Sequence, residues 1–234
     1  DNNKEFQALM LEAFGYLYQE KSGFNSSTGL KSVSDLTTAF EYYKESLDLF
    51  ESLGDKKEIH DILTDILEIS IVLNEKDEFF KYYAKDEIVV SDMDNPFYLA
   101  DLLSKKKRMY EENGDFYEAI KIGLKILEIH NSNNHVNPAS KENIQSLKNY
   151  YFQIGDFDNA EKYCNEILSR RKTELDSLIY LGDLDDILFF KNEYENVLNI
   201  VERHSRIIDK QTWWGEDGIR SFKRGGQRMS LLSK

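Results

Sequence analysis

Five stretches of this 234-residue chain repeat one pattern. They centre on Ala39, Phe79, Ala119, Ala160 and Val197, at spacings of 40, 40, 41 and 37 residues. An acid stands four residues before each centre (Asp35, Glu75, Asp115, Asp156, Glu193), and just before it comes Ser34, Asn74, Gly114, Gly155 or Asn192. A period of this size marks an array of supersecondary units, none of which can bury its apolar face without a neighbour. It constrains the fold more tightly than local propensity does, and it points to a binding surface rather than a catalytic pocket.

Within one unit the chemistry is that of two helices joined by a tight turn. Gly or Asn can close the first helix in the left-handed conformation. The acid that follows can cap the second helix and favours the positive end of its dipole. A small residue one turn later lets the two helices approach, giving an antiparallel hairpin. Apolar residues at helical spacing then follow, as in Ile120, Leu124, Ile126, Leu127 and Ile129. Only Pro96 and Pro138 could break helices, and the sole β-branched run, Ile88-Val89-Val90, is expected to end one. The pattern predicts an all-α chain with helices over 4–21, 35–53, 56–73, 77–88, 96–113, 116–131, 140–154, 157–171, 174–191 and 194–208.

Apolar residues make up 41% of the chain, with 14 Phe and 14 Tyr, enough for a packed interior. Cys164 is the only cysteine, which excludes an intrachain disulfide, and it is expected to be a small core residue. No apolar run of membrane-spanning length and no secretory signal occurs, which favours the cytoplasm. An Asp at position 1 is read as the mark of a processed or partial chain. The net charge of −13 argues against wholesale nucleic-acid binding. Five bases and no acid lie in residues 219–234, so residues 1–218 carry 25 bases against 43 acids, a balance of −18.

Catalytic and metal signatures are missing. His60, His130, His135 and His204 form no ligand spacing with one another or with Cys164, and His130 and His135 are read as lying on a surface loop. Gly215, Gly218, Gly225 and Gly226 fit no phosphate-cradling motif, and no nucleophile elbow is present. The chain is therefore expected to be non-enzymatic, with no cofactor and no metal.

The copies Asn113-Gly114-Asp115-Phe116-Tyr117-Glu118-Ala119 and Ile154-Gly155-Asp156-Phe157-Asp158-Asn159-Ala160 resemble the turn and second-helix start of tetratricopeptide repeats. Leu11, Phe14, Gly15 and Tyr18 match the first-helix pattern of that family, as do Leu103 and Tyr110, and Ile144, Leu147 and Tyr151. The run from Ala39 to Lys57 resembles the long-helix variety, near 40 residues per repeat. Repeat 1 departs from the pattern by an insertion of about twelve residues around Ser22–Asp35, and Phe79 and Val197 replace the small Ala. The resemblance implies a right-handed superhelix of about five hairpins over residues 1–208, followed by a Trp-containing cap and basic tail over 209–234.

It also implies a concave groove lined by the first helix of each hairpin. Counting back 18, 15, 11, 8 and 7 residues from each centre, with repeat 1 corrected for its insertion, gives the expected groove positions. They are Leu9, Glu12, Tyr16, Gln19 and Glu20; Asp61, Thr64, Glu68, Ile71 and Val72; and Asp101, Ser104, Arg108, Glu111 and Glu112. Repeats 4 and 5 add Glu142, Gln145, Asn149, Phe152 and Gln153, then Ile179, Gly182, Asp186, Phe189 and Phe190. Nine of these 25 are acidic and one is basic, against 43 acids and 30 bases in the whole chain. The implied partner is a basic or amphipathic protein segment, with Phe152, Phe189 and Phe190 as apolar anchors. Family members that hold acidic chaperone C-termini use a Lys–Asn pair one turn apart, and no such pair stands at the matching positions here. A second candidate element is the tail, where Trp213 and Trp214 precede Arg220, Lys223, Arg224 and Arg228; it could cap the last repeat or lie in an acidic groove as a pseudo-ligand. The expected function is a peptide- or protein-binding scaffold. The alternatives are a sensory domain of a larger transcriptional or signalling regulator and an accessory domain of an enzyme or phosphatase.

Overall fold

What ends the first helix of a hairpin also positions the second. Asn74, Gly114, Gly155 and Asn192 take left-handed φ values of 57°, 73°, 77° and 62°. The N–H of the acid that follows each then donates back into the helix just ended. Glu75 donates to Ser70 O, Asp115 to Tyr110 O, Asp156 to Tyr151 O and Glu193 to Leu188 O, each at 2.9 Å. This is the Schellman closure, and it satisfies carbonyls that a helix end would otherwise leave open. The acid's own carbonyl accepts the first hydrogen bond of the next helix, from the N–H of Phe79, Ala119, Ala160 or Val197. All five repeat centres are fully buried.

The structure, a computed structural model, describes residues 2–24, 32–132, 138–171 and 173–209. Its described residues form ten α-helices: α1 Asn2–Lys21, α2 Val33–Leu53, α3 Lys56–Leu73, α4 Lys76–Met93, α5 Pro96–Glu112, α6 Phe116–Ser132, α7 Pro138–Gln153, α8 Phe157–Ser169, α9 Glu174–Phe190 and α10 Tyr194–Asp209. These follow the predicted helices closely, with two corrections. The Ile88–Val90 run does not end a helix: Val90 is buried within α4, which continues to Met93 and closes at Asp94 in the left-handed region. Packing of the apolar face overrides the modest β preference of these residues. In the first hairpin the cap is Ser32, whose Oγ accepts the Asp35 N–H at 3.3 Å, rather than Asp35 itself. The insertion brings the chain into α2 earlier, and Asp35 instead receives Lys21 Nζ at 2.7 Å.

The chain divides into two compact units, Asp1–Val136 and Asn137–Lys234. In the first, α1 packs on α2, α3 on α4 and α5 on α6, while α2 also meets α3 and α4 meets α5. Its core runs through Leu36, Ala39, Tyr43, Ile62, Ile66, Phe79 and Leu102. In the second, α7 packs on α8, α9 on α10, and α8 on α9, around Ala160, Cys164, Leu184, Ile187, Leu188 and Val197. Cys164 is the expected core residue: its Sγ lies 3.3 Å from Tyr180 O, and burial pushes its thiol up to about 12. Each unit is thus a stack of antiparallel helix hairpins. Among the described residues no helix is long and apolar enough to cross a membrane.

Candidate functional site

The first helices of the first unit carry a concentration of carboxylates. Glu12 on α1 stands with Asp61, Asp65 and Glu68 on α3, and the Glu12 and Asp65 carboxyls are raised above the usual carboxylate range. Burial is the first cause for Asp65, whose carboxyl is pushed up to about 7, and the charges of Glu12 and Glu68 add to it against Lys105. Glu12 is raised by burial first and then by Glu58 and Asp61. Burial and neighbouring carboxylates both act on this face, with burial the larger cause.

Those cations are specific. Lys105 Nζ lies 2.6 Å from Glu68 and 3.8 Å from Asp101, Arg108 lies 3.8 Å from Glu68, and Lys57 lies 2.8 Å from Asp61. The Lys105–Glu68 pair ties α5 to α3. In the second unit the Lys148–Asp183 pair ties α9 to α7 in the opposite sense, with Lys148 buried. Asp185 beside it is raised to about 6 by burial and by Asp186, and Asp186 is raised by burial and then Asp183.

Glu12, Asp61, Glu68 and Arg108 are brought together on one face, with Asp101 joined to it through Lys105. Tyr16, Glu111 and Glu112 are exposed at other points of α1 and α5. On α7 and α9, Glu142, Asn149 and Asp186 are exposed. Glu142 borders a small cavity of about 110 Å³ with Lys141, Arg170 and Arg171. Phe152, Phe189 and Phe190 form one aromatic cluster with Phe157: Phe157 stacks on Phe190 at 5.4 Å, and Phe152 meets Phe190 edge-on at 5.4 Å. Trp213, Trp214, Arg220, Lys223, Arg224 and Arg228 lie outside the described residues.

Three positions are corrected. Ile71 is buried in the core of the first unit and Gln19 is buried against Tyr43 of α2, so neither lines the face. His130 is not on a loop: it is buried in the last turn of α6. Asp65 and Lys105, which sequence counting passes over, sit one residue beyond the expected groove positions Thr64 and Ser104. Asp61, Asp65 and Glu68 recur at steps of four and three, so the stripe is present in the sequence as a helical face. Among the described residues no group of three or more His, Cys, Asp or Glu could hold a metal ion.

No family model and no curated protein matches the sequence. Solved structures do match in fold. A Podospora anserina protein described as a putative kinesin light chain with nearly identical tetratricopeptide-like repeats aligns with 90% of this chain and 97% of its own, at TM-score 0.65 and 12% identity. BtubC (BKLC) from P. vanneervenii aligns with 92% of this chain and 94% of its own, at TM-score 0.61 and 13% identity. The apo form of RapI aligns with 85% of this chain and 54% of its own, at TM-score 0.63 and 14% identity. The fold is that of a tetratricopeptide-like helical repeat.

Proposed function

We propose that this chain is a non-catalytic scaffold that binds a protein or peptide segment on the first-helix face of its first unit. The partner segment is cationic or amphipathic. The observation that carries this reading is the excess of carboxylate around Asp65. Glu12, Glu58, Asp61, Asp65, Glu68 and Asp101 stand against Lys57, Lys105 and Arg108, and Asp65 is pushed up to about 7 by burial first and then by Glu12 and Glu68. A Lys or Arg seated there relieves that repulsion and gains charge-assisted hydrogen bonds.

The test is fluorescence anisotropy of a labelled Lys/Arg-rich amphipathic peptide against the full chain. Binding should weaken with salt and weaken at least about tenfold in Glu12→Gln/Asp65→Asn. An acidic peptide of equal length should not bind. Equal affinity for both peptides, or indifference to the double variant, would sink the proposal. Glu111→Lys/Glu112→Lys measures how far along α5 the footprint extends.

A second reading has the repeats sense a ligand on behalf of a larger regulator. It draws on a Pyrococcus horikoshii signal transduction ATPase described as having a tetratricopeptide repeat sensor, which aligns with 86% of this chain and 34% of its own at TM-score 0.54 and 15% identity.

A further inference from the structure

α8 stops short of its counterparts. It has 13 residues, against 21, 18, 17 and 16 in α2, α4, α6 and α10, the second helices of the other hairpins. Phe50, Val90 and His130 stand eleven residues after their repeat centres and are buried. The matching residue after Ala160 is Arg171, which follows the end of α8 and is exposed. Beside that early end lies the cavity of about 110 Å³ in the second unit. A water molecule takes about 30 Å³ in the liquid, so the space admits a group of several heavy atoms. Its floor is apolar, from the buried Ile144 and Ile167, and its walls carry Lys141, Gln145, Arg170 and Arg171. Arg171 is laid over the Tyr180 ring, with Cζ 4.3 Å from the ring centroid. The Tyr180 hydroxyl in turn donates to Gln145 Oε1 at 3.0 Å, which leaves the Gln145 Nε2 hydrogens for an acceptor. Arg170 is taken by Glu166 at 2.5 Å. Among the described residues no carboxylate lies within ion-pair distance of Lys141 or Arg171. Three cations against Glu142 on the rim and Glu166 leave one net positive charge here, in a chain of net charge −13.

We propose that this cavity binds a phosphoryl dianion, as free phosphate or as a phosphate monoester. The unpaired Lys141 and Arg171 select an anion. The number of donors selects a phosphoryl group over a carboxylate: the Arg171 fork takes two oxygens, and Lys141 and Gln145 take others. A carboxylate has only two oxygens to offer. The apolar floor keeps water from one side and so strengthens each charge contact. Arg171 is already held against Tyr180, so it loses little freedom when the anion arrives. The site lies in the second unit and is opposite in sign to the carboxylate face of the first, so it stands independently of the peptide-binding reading.

The test is a proton–nitrogen correlation NMR titration of the full chain with inorganic phosphate at about pH 7.5, where the dianion dominates, with ionic strength held constant by chloride. The Gln145 side-chain amide and the Arg171 Nε–H should shift saturably in the millimolar range, and resonances of the first unit should stay in place. Lys141→Gln/Arg171→Gln should weaken binding at least about tenfold. Arg171→Lys keeps the charge but loses the fork, and should weaken it at least about threefold. Glu142→Gln should tighten it by removing the acid on the rim. These side chains are exposed, so thermal midpoints without phosphate should stay near the parent's, while phosphate should raise the parent's midpoint. Tighter binding of a phosphoserine peptide than of inorganic phosphate supports the monoester as the source; equal affinity supports free phosphate. No saturable shift up to tens of millimolar phosphate overturns the proposal. So does an equal shift with acetate or with the unphosphorylated peptide, or an undiminished shift in Lys141→Gln/Arg171→Gln.

Discussion

Gly15 of α1 lies directly against the ring of Tyr43 of α2: a Cβ built on Gly15 would stand 2.8 Å from Tyr43 Cε1 and 2.9 Å from Cδ1. The ring is held from its far end as well, because the Tyr43 hydroxyl donates to Gln19 Oε1 at 2.8 Å, with both groups buried. The glycine of the first-helix pattern is thus there for close approach rather than for a turn. The helices of the first hairpin close over a fully buried aromatic, and burial with the surrounding carboxylates raises the Tyr43 phenol far above its ordinary value.

Gly15→Ala is therefore expected to destabilise the protein. Alanine in a helix interior is worth about 1 kcal/mol over glycine, but overpacking at a pinned ring costs about 1–3 kcal/mol. The net loss should be up to about 2 kcal/mol in denaturant unfolding. Gly182→Ala is the control. The nearest atom to its added methyl is His204 Cε1, at an ordinary 3.9 Å, so this variant should gain about 0.5–1 kcal/mol. A stabilising Gly15→Ala would show that Tyr43 can swing aside.

The hairpin turns give a second comparison. Asp156 Oδ1 accepts the Asn159 N–H at 3.1 Å and Asp156 Oδ2 accepts Asn159 Nδ2 at 2.8 Å. Glu75, at the equivalent place, makes no side-chain capping bond. Asp156→Ala should cost about 1 kcal/mol and Glu75→Ala close to nothing, as read by equilibrium unfolding monitored by circular dichroism. Equal losses at the two sites would mean that the acid acts through the helix dipole alone.

The backbone is legible because the turn chemistry repeats: a left-handed Asn or Gly followed by an acid marks four Schellman closures, and the buried residue one turn later marks the hairpin centre. Where the insertion interrupts that pattern, at Asp35, the sequence places the start of the helix too late. The candidate face is only half legible. Counting back along the chain finds Glu12, Asp61 and Glu68, since their spacing is set by the helix. It passes over Asp65 and Lys105, because which charged neighbour turns inward depends on how adjacent first helices meet. His130 misleads for a similar reason: its burial comes from packing around α6, and the Asn-rich residues after it carry a loop signal that says nothing of the turn before.

Asp65 makes stability depend on pH. Its folded value is raised to about 7, whereas an unfolded aspartate titrates near about 4. Between those values the folded chain keeps a proton that the unfolded chain has released. Stability contributed by this group is therefore fully present in acid, falls as pH rises from about 4 to about 7, and is flat above. Asp65→Asn should remove that slope and stabilise the protein at about pH 8 by on the order of 2 kcal/mol. The measurement is the difference in unfolding free energy between the two proteins across about pH 4 to 8, which cancels all other titrating groups. A constant difference would place Asp65 in a well-solvated setting. A cationic peptide seated on this face should also displace the proton, so binding near about pH 6.5 should release protons in calorimetry run in buffers of differing ionisation enthalpy.

The buried pair of His60 and Asp86 tests whether polarity inside the first unit stabilises it. His60 Nδ1 lies 2.8 Å from Asp86 Oδ1, both residues are almost wholly buried, and Tyr98 meets the imidazole edge-on at 4.8 Å. Burial lifts the Asp86 carboxyl, which His60 in turn lowers; burial of His60 is outweighed by its hydrogen bond and charge contact with Asp86, so its value is raised. Asp86 Oδ2 has no hydrogen-bond partner among the described residues. A buried pair with an unsatisfied oxygen recovers little of its desolvation cost, yet removing one member strands the other. Asp86→Ala should therefore cost about 3 kcal/mol. The double variant His60→Phe/Asp86→Leu, which replaces both polar groups with apolar ones of comparable bulk, should come within about 1 kcal/mol of the parent or exceed it. A loss in the double variant as large as that of Asp86→Ala would mean that the pair contributes net stability over an apolar replacement.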